Sequence, residues 1–178
     1  QAVQRVVRRW GHLDLMINNA GVAAAGPFEA IPVDDWEWLL EINLMGVVRG
    51  CRVAVTEMKR QGRGHIVNIA SMAGLTPPPG MSVYNVSKSA VVSLSETLRA
   101  ELSPLGIDVT LVCPSFFRTN LGDSLRTPGP VSSARFERLL DNNDMTADMI
   151  AEDIFKAVEK NQFLVIPHSP AKKAWRQK

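Results

Sequence analysis

Tyr84 and Lys88 stand four residues apart in Ser82-Val83-Tyr84-Asn85-Val86-Ser87-Lys88, and Ser71 lies thirteen residues upstream, closing the run His65-Ile66-Val67-Asn68-Ile69-Ala70. On a helix, positions i and i+4 share a face, so the Lys88 ammonium can come within reach of the Tyr84 phenol. An unperturbed phenol titrates near ~10, but a neighbouring cation favours tyrosinate and lowers that value by roughly 1–3 units. The spacing therefore predicts a tyrosine able to shuttle a proton near neutral pH. Alone the pair is weak evidence, because Tyr-x-x-x-Lys arises by chance in roughly one chain of this length in a few. A half-buried tyrosine with a solvated lysine one turn later would look the same.

Three further features add weight. Asn18-Asn19-Ala20-Gly21 follows the strand-like run Leu13 to Ile17. Small residues at the carboxyl end of a parallel strand let backbone approach a ligand, although Asn and Gly also favour ordinary turns. Asn43 interrupts a long helical pattern, where its short polar side chain competes for backbone hydrogen bonds; a tolerated helix kink is the plainer reading. Cys113-Pro114-Ser115-Phe116-Phe117-Arg118-Thr119 leaves the buried strand-like run Ile107 to Val112, as a proline-marked strand exit also would.

In this order and spacing the residues resemble the short-chain dehydrogenase/reductase family in its single-domain form, from about Gly11 to about Pro167. The resemblance implies an NAD(P)-dependent enzyme that interconverts a carbonyl and an alcohol, on a Rossmann-like doubly wound parallel sheet in three α/β/α layers. It places the catalytic tetrad on Asn43, Ser71, Tyr84 and Lys88. Cofactor contacts fall on Asn19, Ala20, Gly21, Tyr84, Lys88, Pro114, Phe117 and Thr119. Ser115 stands where the family's nicotinamide loop has glycine. The resemblance also implies a homodimer or homotetramer paired through helices near 44–60 and 84–103. Gly46, Gly50 and Ala54 would let the first of these approach a partner, or would pack it on the sheet.

The chemistry of carbonyl reduction needs the same set. Hydride delivered to a ketone leaves negative charge on oxygen, so an acid must supply a proton and a second donor must hold that oxygen. Tyr84 would give the proton and Ser71 would hold the oxygen. By the family pattern, Lys88 would also bind the nicotinamide ribose, and Asn43 would hold a water linking Lys88 to solvent.

Gln1 is not an initiator methionine, and Ala2, Val3, Val6, Val7 and Trp10 already follow a helical spacing. The glycine-rich pattern Gly-x-x-x-Gly-x-Gly does not occur in these 178 residues. The sequence is accordingly read as one partial dehydrogenase domain over 1–178, lacking its first strands and its pyrophosphate turn. Taken by themselves, these residues are expected to expose an apolar strand at 13–17 and to show little turnover. The choice between NAD and NADP would rest with residues outside them.

The balance of 20 basic against 18 acidic residues carries no nucleic-acid signal. The basic stretch Lys172 to Lys178 reads as a solvated end. Cys51 and Cys113 sit in apolar settings as reduced, buried thiols, which fits a cytoplasmic location. No apolar run is long enough to span a membrane. His12, His65 and His168 are scattered and show no metal-ligand spacing, and none makes Ser71 part of a triad.

Strand-like runs at 13–17, 65–70, 107–112 and 163–166 alternate with helical patterns at 1–10, 34–60, 84–103 and 146–160, the rhythm of a parallel sheet with crossovers. Thr76 to Met81 and the long segment Leu121 to Asp144 are the candidates for substrate contact. Rival readings are a catalytically silent cofactor-binding or scaffold relative, a nucleotide-sugar epimerase, which would need a larger substrate domain, and a purely structural module. The last would not require Asn43, Ser71, Tyr84 and Lys88 together.

Overall fold

The computed structural model describes residues 2–117, 119–129 and 145–177. Arg118 and the stretch 130–144, which includes most of the expected substrate segment, lie outside the described residues. Four parallel strands form one sheet in the order β1 (Leu15–Asn18), β2 (Gly64–Ile69), β3 (Ile107–Val112) and β4 (Leu164–Val165). Ile17 pairs with Val67, Val67 with Thr110, and Leu111 with Leu164. Because each strand is reached through a helical crossover, all four carboxyl ends point the same way.

Alternate residues of the central strands feed two separate cores. Ile66, Val109 and Leu111 face α3 (Gly46–Gln61) and α4 (Ser82–Leu102), meeting Val47, Ala54, Met58 and Val91, with α1 (Ala2–Trp10) packed on the same side. Val67, Val112 and Val165 face α5 (Ala147–Glu159), where Ala157 is buried against them. The result is the expected α/β/α layering. In β1 only one face is covered: Met16 and Asn18 turn toward α3, while Leu15 and Ile17 are 38% and 48% exposed.

The pattern read as one helix over 34–60 is three pieces. α2 (Val33–Leu40) starts after Pro32 with Asp34 and Asp35 in its first turn, where acidic side chains meet the positive end of the helix dipole. A π turn over Glu41–Met45 follows, and α3 resumes at Gly46. The basic tail is not a loose end either. It forms α6 (Ser169–Arg176), with Trp175 packed against the larger core, because an apolar ring one face away from Lys172 and Lys173 gives the segment something to bury. Among the described residues no helix is long and apolar enough to cross a membrane.

Gly50 and Ala54 turn toward the sheet. A Cβ at Gly50 would collide with the Asn18 side chain, which occupies the space that glycine leaves. That side chain is committed: Asn18 Nδ2 donates to Asn68 Oδ1 at 2.8 Å and to Cys51 Sγ at 3.4 Å, and Asn68 Nδ2 donates to Ser95 Oγ at 3.0 Å. The chain ties β1, β2, α3 and α4 together with buried polar atoms that satisfy one another. Gly50→Val is expected to destabilise the fold by about 1–3 kcal/mol, through overpacking and a broken buried hydrogen bond. Gly46→Ala, whose Cβ would meet only the Glu41 carbonyl at 3.9 Å, should be neutral or stabilising. Thermal unfolding of the two variants checks the contrast.

Candidate active site

Ser71, two residues past β2, is in extended backbone and caps the short 3₁₀ turn Met72–Gly74, its Oγ accepting from the Ala73 N–H at 3.1 Å. The same hydroxyl donates to the Pro114 carbonyl over a long 3.4 Å. α4 then brings Tyr84 and Lys88 to the sheet on one buried face, together with Val83 and Ser87. The turn and the helix touch closely at Gly74, where an added Cβ would lie 2.7 Å from the Lys88 carbonyl oxygen. Lys88 Nζ donates to the Ile69 carbonyl at 3.0 Å and lies 5.6 Å from the centre of the Tyr84 ring.

Asn43 enters from the π turn. A π turn carries one extra residue per turn and re-aims the side chains it contains, which is why such turns gather at functional sites. Asn43 Oδ1 accepts from the Val22 N–H at 2.8 Å, and its Nδ2 donates to the Val22 carbonyl at 2.9 Å and to Ser87 Oγ at 3.2 Å. Both amide hydrogens are thus used. The side chain holds the backbone next to Gly21, whose Cβ position would be 3.6 Å from Asn43 Oδ1 and 3.7 Å from Lys88 Nζ. The Asn43 side chain thus clamps the loop after β1.

Electrostatics run against the simple expectation for the Tyr84–Lys88 pair. Burial pushes the Tyr84 phenol up to about 12, with the hydrogen-bonding Ser71 hydroxyl pulling it partly back. Burial also pulls the Lys88 ammonium down to about 8. Desolvation outweighs attraction because both groups are enclosed, and a phenol that stays neutral offers the ammonium no opposite charge. The Cys113 thiol is raised to about 12, again chiefly by burial, and Cys51 is raised too, so both cysteines are protonated, unpaired thiols.

These groups wall a cavity of about 620 Å³ at the carboxyl ends of the strands. Asn19, Ala20, Gly21, Ser71, Tyr84, Lys88, Pro114, Phe117 and Thr119 all line it, whereas Asn43 lies behind Gly21. The wall also contains Ser115, Phe116 and Leu121, from the loop and the segment that the sequence marks, together with Ile69, Ala70, Asn120 and Ala147, which it does not. Ala147 comes from the start of α5, far along the chain, and carries no local signal. Met81 belongs to the small core around Tyr84, with Ala23, Ala24, Ala25 and Ile31, instead of to the cavity wall. Beside that core the chain after Thr119 is pinned: Arg126 pairs with Asp35 at 2.7 Å and lies 3.7 Å over the Trp38 ring. Among the described residues no group of three His, Cys, Asp or Glu side chains could hold a metal ion.

The arrangement has counterparts among known proteins. Residues 1–129 match the family model described as short chain dehydrogenase. A CLA biosynthesis dehydrogenase/reductase of Lactiplantibacillus plantarum is 32% identical over 185 residues, covering 94% of this chain. The chain spans 65% of that relative's length. Among solved structures, a short chain dehydrogenase/reductase from Burkholderia phymatum in complex with NAD superposes with TM-score 0.90 at 33% identity, over 97% of this chain and 67% of that one. A short-chain dehydrogenase from Sphingobium yanoikuyae in complex with NADPH gives TM-score 0.78 at 28% identity, over 99% of this chain and 65% of that one.

The buried ammonium makes a measurable prediction about stability. Lys88 binds its proton less tightly in the folded than in the unfolded chain, so folding is penalised below about 8 and the penalty lifts as pH rises from there toward the ordinary lysine value of 10.5. Lys88→Met should therefore raise stability at pH 7 by on the order of 1–3 kcal/mol after loss of the Ile69 hydrogen bond. The gain should shrink between pH 8 and pH 10.5. Denaturant unfolding across that range checks both sign and window.

Proposed function

The chain belongs to the short-chain dehydrogenase family, and from that premise we propose that it carries the chemical half of an NAD- or NADP-dependent oxidoreductase acting on a small carbonyl or alcohol. The observation that carries this reading is the convergence of Ser71, Tyr84 and Lys88 on one cavity whose opposite wall is the loop after β3. Neighbours with bound NAD and with bound NADPH support a nicotinamide cofactor of either kind.

The residues fit the nicotinamide end of such a cofactor. Lys88 offers three N–H donors, and the Ile69 carbonyl takes one, leaving donors for ribose hydroxyls. Asn19, Ala20 and Gly21 bring bare backbone to the same cavity. When bound, the nicotinamide supplies or accepts the hydride. Tyr84 gives its proton to the substrate oxygen. Ser71 holds that oxygen, since its 3.4 Å bond to the Pro114 carbonyl is long enough to be exchanged for a better one. Asn43 keeps the Gly21–Val22 backbone in place, and Lys88 fixes the ribose against the reacting face.

A phenol held neutral by burial is in the proton-donating form near pH 7, which is the form that carbonyl reduction requires. Alcohol oxidation needs the tyrosinate and should accelerate as pH rises. Tyr84→Phe is expected to lower kcat by about 10²–10⁴-fold while the dissociation constant for NADH or NADPH moves little. It should also abolish the rise of the oxidation rate between pH 7 and pH 10. Turnover that survives Tyr84→Phe in the full-length protein would remove the role assigned to this residue. Cofactor binding without turnover on any carbonyl would point to a silent relative of the same fold.

A further inference from the structure

β4 ends at Val165, whose carbonyl takes the last sheet hydrogen bond from the Cys113 N–H at 2.8 Å. Three residues later His168 precedes α6, its carbonyl accepting from the Lys172 N–H at 3.0 Å. The imidazole is 3% exposed and its Nδ1 lies 3.1 Å from the Ser115 backbone nitrogen. A backbone N–H only donates, so Nδ1 is the unprotonated nitrogen and the ring proton sits on Nε2. Nε2 is buried and has no hydrogen-bond partner among the described residues. The Phe117 ring packs beside the imidazole with centroids 6.1 Å apart.

Ser115 and Phe117 both line the cavity, whereas His168 stands behind them. The loop is held at adjacent residues from opposite sides: the Pro114 carbonyl accepts from the Met72 N–H at 2.8 Å, and the Ser115 N–H donates to His168. We propose that His168 is a positioning residue for this loop, its neutral imidazole fixing the Pro114–Phe117 wall for the dinucleotide and its protonation releasing that wall and weakening binding. The inference rests on the dehydrogenase reading above.

A charged imidazole donates from both nitrogens, so Nδ1–H would face the Ser115 N–H with no acceptor between them. Among the described residues the groups that meet the ring do not compensate a charge: from the loop come Ser115 and Phe117, both uncharged, and from α6 the backbone N–H of the cationic Lys172, bonded to the His168 carbonyl. Burial accordingly holds His168 below the usual histidine range. The anchor is present above that depressed value and is lost as pH falls through it.

Two variants of the full-length protein separate the possibilities. His168→Asn keeps an acceptor where Nδ1 stands and cannot titrate; His168→Leu keeps the bulk and has no acceptor. We measure the dissociation constants for NADH and NADPH by fluorescence from pH 8 to pH 5, and hydrogen exchange of the Ser115 amide at pH 7.5. Wild-type affinity should fall about three- to tenfold as the ring protonates, the size expected for one hydrogen bond. His168→Asn should bind tightly and without that fall. His168→Leu should bind weakly at every pH, raise the cofactor KM with kcat at saturation retained, and speed Ser115 exchange by about tenfold. Wild-type exchange and affinity in His168→Leu, or an unchanged pH response in His168→Asn, would overturn the proposal. Failure of the wild-type protein to bind either dinucleotide at pH 8 would overturn the dehydrogenase reading and the cofactor role with it, while Ser115 exchange decides the anchor by itself.

Discussion

An ammonium held out of water is the feature around which the rest is arranged. Lys88 lies beneath the end of β2 with the Ile69 carbonyl as its hydrogen-bond acceptor, and burial draws its proton affinity down to about 8. A buried charge of this kind costs free energy that a structural residue would not be expected to impose. Its surroundings are correspondingly specific. Gly74 lets the turn after β2 touch the backbone of α4 at Lys88, and Asn43 clamps the loop that brings Gly21 to the other side of the ammonium. Tyr84, enclosed beside it, is kept neutral by the same exclusion of water.

The sheet supplies the common edge. Asn19 to Gly21 follow β1, Ser71 follows β2, Pro114 to Phe117 follow β3 and His168 follows β4, so four parallel strands deliver four loops to one end. Parallel pairing makes this geometry automatic, and it is where open α/β sheets hold ligands. Beneath that end, the buried chain from Asn18 through Asn68 to Ser95 holds β1, β2 and α4 in register. A slip of one residue in β1 would remove Asn18 from the network and turn Leu15 and Ile17 toward α3.

Much of this was legible in the sequence because it depends on short-range periodicity. The four apolar runs marked the strands, the i,i+4 spacing put Tyr84 and Lys88 on one face, and the small residues after β1 announced a close backbone approach. Features that depend on through-space packing were not legible. The pattern over 34–60 keeps its apolar spacing across the π turn, so Asn43 hints at a kink there but not at the extra residue that aims its side chain. The direction of the Tyr84 shift is not legible either, because spacing reports the nearness of a cation but not the depth of burial, and here burial dominates. His168 and Ala147 reach the site from the last third of the chain, each through a tertiary contact. The basic tail hides Trp175 among cations, and only the packing of that ring shows why it folds as α6.

The account stands on hydride chemistry at the cavity between Tyr84 and the loop after β3. The most direct test incubates the full-length protein with NADH and with NADPH deuterated at C4, in turn on each face, together with a panel of small ketones, and locates the label in the product alcohol. The account predicts deuterium on the carbinol carbon from one face of one cofactor, with loss of the product in Tyr84→Phe. Bound cofactor with no labelled alcohol from any ketone would contradict it.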